Sequence, residues 1–252
     1  MKPVFLYRSG LPVSGLLDIL KQGKRNLSML QPLLPTLLEQ RIVLASGSPR
    51  RQEILKRIGL KFEVVPSKFE ENLKKSSFAG PHEYATATAR GKAMEVADRL
   101  YSQVKKPDLI IAADTVVSLG SDIIEKPADE EDAFKILKRL NAKTHEVVTG
   151  VVLVVPSLTG AEKYDMVQFH ESTEVCFGDL TDEMLKAYVA TGEPMDKAGG
   201  YGIQAIGSSL VQGIHGDYFN VEGFPVYHFC KKLVQLYRER QQRSAPRTDQ
   251  HS

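Results

Sequence analysis

Cysteine is scarce in this chain. Cys176 and Cys230 are the only two and lie far apart, which excludes a disulfide framework, offers no zinc-ligand spacing and fits a reducing compartment. No apolar run approaches the roughly 20 residues that a membrane-spanning helix needs. An excess of either charge is missing too: 33 Lys and Arg against 31 Asp and Glu leave a formal net charge of +2. The balance gives no reason to expect nucleic acid or a membrane surface as partner, so any basic site must be local. Several nucleotide and hydrolase signatures are also absent. There is no G-x-x-x-x-G-K-[ST], no G-x-G-x-x-G after a strand and no G-x-S-x-G. The six histidines form no evident pair with a serine, and His145 and His215 read as structural.

What remains is an ordinary globular composition, 42% hydrophobic and 25% charged, over 252 residues. That length suits one large domain or two small ones. Residues 1–40 differ in character: Lys2, Arg8, Lys21, Lys24 and Arg25 face only Asp18 and Glu39, with leucines between them. They read as a poorly ordered extension or an alternative-start leader, with Met29 as a second possible start. Such a basic leader also admits mitochondrial targeting, although a cytoplasmic location is the first expectation. The globular domain is expected over 41–238, followed by a polar tail or linker over 239–252.

Within that span strands and helices alternate without repeats. Arg41 to Ala45 reads as a short buried strand, and Ile54, Leu55 and Ile58 mark an amphipathic helix after it. "FEVVP" reads as a strand. Pro81 to Tyr101, with alanine at 85, 89, 93 and 97, reads as a helix with a closely packing face. "DLIIAADTVVSLG" and "SDIIEKP" read as a hairpin, Asp129 to Leu140 as a helix, and "HEVVTGVVLVVP" and "YDMVQFHESTEVCF" as strands. Thr181 caps a further helix. The Gly-rich "GEPMDKAGGYGIQ" is expected to lead into a short strand at Gln204, and a helix over Pro225 to Arg238 closes the fold. The class is α/β with a sheet that mixes parallel and antiparallel strands.

Polar residues gather where strands are expected to end, the usual ligand position in α/β folds. Ser46-Gly47-Ser48-Pro49-Arg50-Arg51 joins two hydroxyls, a helix N-terminus and two guanidiniums. Ser48 suits the N-cap and Pro49 the first helical position. Arg50 and Arg51 then fall in the first turn, where the dipole disfavours cations by several tenths of a kcal/mol, roughly. An anion bound there would reverse that cost; the alternative is a capped helix with solvated arginines. Asp114, after "IIAA", is a carboxylate at the expected end of a buried strand, followed by Thr115. It suits a general base or a metal ligand, or else a turn or cap. Glu125-Lys126-Pro127, Lys92 and Lys197 supply further cations, each equally readable as a surface lysine. Glu70 and Glu71 could add carboxylates for a divalent cation.

Taken in order, Ser-x-Ser-x-Arg-Arg, Ala-Asp-Thr, Glu-Lys-Pro, His-x-Val-x-Thr-Gly and Asp-Lys-Ala-Gly-x-Tyr-Gly-Ile-Gln resemble the Maf family of nucleoside triphosphate pyrophosphatases. The match runs from about Arg41 to Tyr237. The segments around residues 42–55 and 192–205 are similar to the Maf domain of acetylserotonin methyltransferase-like proteins. The resemblance implies a Maf/ITPase-like α/β fold, a twisted mixed sheet with flanking helices and two lobes around a cleft. It implies a small-molecule nucleoside triphosphate as partner, a possible homodimer, and a divalent cation as cofactor, Mg²⁺ first, with Mn²⁺ or Co²⁺ possible. The implied reaction cleaves the α–β phosphoanhydride to nucleoside monophosphate and pyrophosphate. Matched residue by residue, Asp114 is the proton acceptor, assisted by Lys92 and Lys126. Ser46, Ser48 and Arg51 hold phosphate, and Glu71 with Asp114 holds metal.

Arg50, Thr115 and Gln204 are similar to the specificity residues of the family's dTTP and UTP group. A glutamine offers donor and acceptor to the imide edge of uracil or thymine. A second reading is a nucleotide-responsive regulatory protein of cell division with catalysis secondary; the complete set of charged residues weighs against it.

Overall fold

The computed structural model describes residues 29–159 and 162–244. Its elements follow the chain as α1 (Leu34–Glu39), β1 (Ile42–Leu44), α2 (Pro49–Arg57), β2 (Glu63–Val64), α3 (Pro81–Tyr101), β3 (Leu109–Leu119), β4 (Asp122–Ile124), α4 (Glu130–Leu140), β5 (Thr144–Pro156), β6 (Tyr164–Phe177), α5 (Asp182–Val189), β7 (Val211–His215), α6 (Tyr218–Glu222) and α7 (Val226–Ser244). One mixed sheet takes the strands in the order β2-β1-β3-β5-β6-β7, and β4 pairs with β3. β1 runs parallel to β2 and β3; the other pairings are antiparallel.

Local chemistry sets the helix boundaries. Ser48 caps α2 by accepting from the Arg51 amide at 3.5 Å, with Pro49 in the first turn. Asp129 caps α4, whose first turn carries Glu130, Glu131 and Asp132 and whose last turn carries Lys138 and Arg139, matching the helix dipole at both ends. Thr181 caps α5 through the Met184 amide.

The long strands serve four buried clusters, the smallest of which joins Val116 and Val148 to Tyr84 and Ala85 of α3. On one face of the sheet, Ile111 and Leu153 pack with Ile54 and Leu55 of α2 and Phe229 and Leu233 of α7. On the opposite face, Ile110, Val152 and Val154 pack on Ala89, Ala93 and Val96 of α3. At the far end, Val117 and Val147 join Leu137 of α4 and Leu185 of α5. Two lobes thus share β3 and β5 as a common spine. The alanine stripe of α3 is fully buried and comes so close to β5 that a Cβ at Gly150 would lie 2.5 Å from the Ala85 carbonyl carbon.

The structure revises four of the sequence expectations. The strand in "FEVVP" shortens to Glu63–Val64, both exposed, because it lies at the sheet edge. The last helix runs on to Ser244. Leu30, Leu33 and Leu37, within the segment read as a leader, are buried in the core with α2 and α7. His215, read as structural, is exposed on edge strand β7. No helix among the described residues is long and apolar enough to cross a membrane.

Gly150→Ala is expected to force α3 off β5 and lower unfolding stability by about 1–3 kcal/mol, measured by urea denaturation.

Candidate active site

β1 stops early. Its last strand partner is Ile111, and the Ala45 amide donates to the Ile111 carbonyl at 2.8 Å. β4 takes up pairing only at Val117. Residues 112–116 of β3 therefore have β5 on one side and no strand on the other. Asp114 and Thr115 sit in this gap. The expectation of a strand end at Asp114 is corrected accordingly: β3 continues to Leu119, and the opening comes from the neighbours, not from the strand itself.

Asp114 is buried, and its Oδ1 accepts from the Lys92 ammonium at 2.8 Å. Burial raises its pKa above the ordinary carboxylate value, while Lys92 and Arg51 oppose the rise. Lys92 also meets Glu71 Oε2 at 2.8 Å, so two carboxylates share one ammonium. Glu71 arrives on the loop after β2, which is fastened to α3 at two points. Glu95 accepts from the Ser67 hydroxyl and the Lys68 amide. The Phe69 ring fills the notch at Gly91, where a Cβ would lie 2.4 Å from it. Glu70, the adjacent acid that could equally be a solvated turn, accepts from the Asn72 side chain at 3.3 Å.

Two carboxylates on a shared ammonium form an oxygen-donor pair that suits Mg²⁺, which commonly takes one or two carboxylates and completes its shell with water and phosphate oxygens. Asp114 and Glu71 fit such an ion. Among the described residues no larger cluster of acidic, His or Cys side chains could hold one alone.

Arg51 is buried and bonded only to neutral acceptors. Nε donates to the Gly223 carbonyl at 2.9 Å, Nη1 to Ser46 Oγ at 3.1 Å and Nη2 to Thr115 Oγ1 at 2.8 Å. Thr115 is held in turn by Thr149 at 2.9 Å. Burial lowers the Arg51 pKa, which Asp114 counteracts. Arg50, beside it on α2, crosses the cleft: Nη1 meets Asp196 Oδ2 at 2.7 Å and Nη2 donates to the Asp196 carbonyl at 3.1 Å.

The opposite wall is the Gly-rich segment, which folds as short 3₁₀ turns over Glu193–Asp196, Ala198–Gly200 and Ile206–Leu210. Gln204 lies in the turn before the last of these and lines the cleft. The expected strand begins only at Val211, because Glu193 captures the backbone first. Its carboxylate accepts from the Ile206 and Gly207 amides, each at 3.0 Å, and from the Tyr188 hydroxyl. On the other side of Gln204, buried Tyr201 bonds the His145 ring at 2.8 Å, and both rings pack on Phe177. Lys126 is exposed at the cleft margin, while Glu125 before it meets Tyr84 and Lys75.

The structure thus brings Ser48, Arg50, Arg51, Glu71, Lys92, Asp114, Thr115, Lys126 and Gln204 to one cleft of about 370 Å³, with Ser46 just behind Arg51. Sequence reasoning missed Glu193 and Asp196, although both lie in the "GEPMDKAGG" stretch it singled out. A carboxylate three residues from another, within a loop of glycines, was the available signal.

The family model described as Maf-like protein matches residues 41–236. The chain belongs to the Maf family. A human relative named probable bifunctional dTTP/UTP pyrophosphatase/methyltransferase protein is 54% identical over 211 residues, 83% of this chain but 34% of the relative. This chain therefore spans about a third of that protein. A Bacillus cereus relative named dTTP/UTP pyrophosphatase is 41% identical over 197 residues, 78% of this chain and 96% of its own. Among solved structures, a Staphylococcus aureus Ham1 protein overlaps 80% of this Maf chain at 14% identity with a TM-score of 0.42.

The His145 ring tests how firmly the Gly-rich wall is seated. Burial lowers its pKa from 6.5 to about 4. The unfolded chain then binds the extra proton more readily, so stability is full above about pH 6.5 and falls as pH drops towards 4, by up to about 3 kcal/mol. Denaturant unfolding at pH 7 and 4.5 should show a smaller loss in His145→Gln than in the unmodified protein.

Proposed function

We propose that this Maf chain is a nucleoside triphosphate pyrophosphatase acting on dTTP and UTP, and on modified pyrimidine triphosphates of the same shape. It releases the nucleoside monophosphate and pyrophosphate and so keeps unwanted nucleotides out of nucleic acid. The observation that carries this reading is the buried Asp114 carboxylate, held by Lys92 in the gap of β3 beside Arg51. A carboxylate whose burial raises its pKa is poised to take a proton, and the reaction needs no covalent nucleophile beside it.

In this reading water attacks the α-phosphorus opposite the bridging oxygen, the P–O bond to the β-phosphate breaks, and Asp114 accepts the proton of the attacking water. The bridging electrons leave with pyrophosphate. Arg51 has spent three of its five N–H donors on Gly223, Ser46 and Thr115. The two left over, with their direction fixed by those bonds, suit phosphate oxygens. Lys126 and the Ser46 and Ser48 hydroxyls extend that cradle, and the α2 N-terminus adds its partial positive charge. Glu71 and Asp114 would hold Mg²⁺, which supplies neutralising charge for the phosphoryl oxygens when bound. Gln204, on a turn fixed by Glu193 and Tyr201, meets the base edge, with Thr115 and Arg50 shaping the same end. Arg50, which spans the cleft to Asp196, also reaches the polyphosphate.

The product decides the reading: UTP with Mg²⁺ should yield UMP and pyrophosphate, and release of orthophosphate overturns it. Asp114→Asn should lower kcat by about 10²-fold to 10⁴-fold while UTP still binds; turnover close to the unmodified rate removes Asp114 as the base. Gln204→Glu loses a donor and should cut kcat/KM for UTP by about tenfold. An unchanged substrate profile would remove Gln204 from base reading.

A further inference from the structure

The residues lining the cleft include five cations, Arg50, Arg51, Lys92, Lys126 and Lys197, and five carboxylates, Glu71, Asp114, Glu125, Asp196 and Glu222. An anion site so evenly balanced is unexpected. Four of the carboxylates have other occupations. Asp114 and Glu71 share Lys92, Glu125 is bonded by Tyr84 and Lys75, and Glu222 is buried against Arg57 at 3.6 Å. Asp196 is different. Its Oδ2 lies 2.7 Å from Arg50 and its Oδ1 2.6 Å from Lys197, so one carboxylate occupies two cations of the cleft at once.

We propose that Asp196 is an internal competitor for polyphosphate. It holds Arg50 and Lys197 while the cleft is empty, yields them to the triphosphate, and takes them back as pyrophosphate leaves. This deepens the pyrophosphatase reading and rests on it. Exposure argues for the direction of exchange. The Arg50 and Lys197 side chains are 23% and 11% exposed, whereas that of Asp196 is 61% exposed. The cations belong to the cleft wall, and the anion sits at its mouth, where water can receive it. Lys197 does not need Asp196 for its place, since its ammonium also donates to the Glu193 carbonyl at 2.6 Å. Arg50 sits in the first turn of α2, where the dipole already favours an anion. Asp196 fills that role in the empty protein, and a phosphate carries more charge to the same point.

A brace and a competitor predict opposite signs. Removing a brace weakens substrate binding, whereas removing a competitor strengthens it. The test uses the full chain in an Asp114→Asn background with Mg²⁺, so that nothing is hydrolysed, and measures binding of UTP and of inorganic tripolyphosphate by calorimetry. Adding Asp196→Asn, which keeps the shape and removes the charge, should tighten both by about threefold to tenfold. In the otherwise unmodified enzyme the same substitution should strengthen inhibition by pyrophosphate. Equal or weaker binding after Asp196→Asn, against a background that binds, overturns the competitor alone. Failure of the background protein to bind either probe overturns the pyrophosphatase reading and the competitor with it.

Discussion

A carboxylate can be kept out of water only if a cation goes with it, and much of this molecule follows from meeting that condition for Asp114. Lys92 supplies the charge from α3, so α3 must lie close over β3 and β5. The alanine stripe and Gly150 provide the closeness. Arg51 supplies a second cation from the other side, tied to Gly223 and Thr115. That bond links the start of α2 to the turn between α6 and α7. The pair also explains why the loop after β2 is fastened so firmly: Glu71 reaches Lys92 only while Phe69 and Ser67 hold the loop against α3.

The fold was legible to the extent that its elements bury a regular face. The alanines of α3, the β-branched run of β5 and the capped starts of α2 and α5 each declared themselves by spacing or by one residue. The Gly-rich segment did not, because its shape comes from Glu193 reaching forward to the amides of residues 206 and 207. A side chain binding backbone thirteen or fourteen positions away leaves no period to read. β2 is shorter than its apolar run for a related reason: at a sheet edge, apolar residues need not alternate.

The site divides in the same way. Ser46, Ser48, Arg51, Asp114 and Lys126 could be named from the order of the motifs, because each lies in a stretch with its own signature. Lys92 lies in none of them and owes its role to the family resemblance alone. The bonds among them could not. Nothing in the sequence says that Arg51 spends its donors on neutral oxygens while Arg50 spends its own on a carboxylate. Adjacent residues on one helical turn point about 100° apart. One therefore turns into the β3 gap and the other out across the cleft. The two arginines that oppose the α2 dipole are thus answered separately, one by packing and one by Asp196.

β3 and β5 run from one core to the other without a break, and their residues belong to both lobes. The sheet itself accordingly offers no joint at which the two lobes could swing as separate doors. A movement of one lobe against the other would have to coil the whole sheet a little more tightly. Such a motion is spring-like: its stiffness is spread along thirteen residues of β5, and every ladder bond on the way resists it. A substitution in the middle of that strand would then be felt as a change in compliance at the cleft, without touching any residue that lines it.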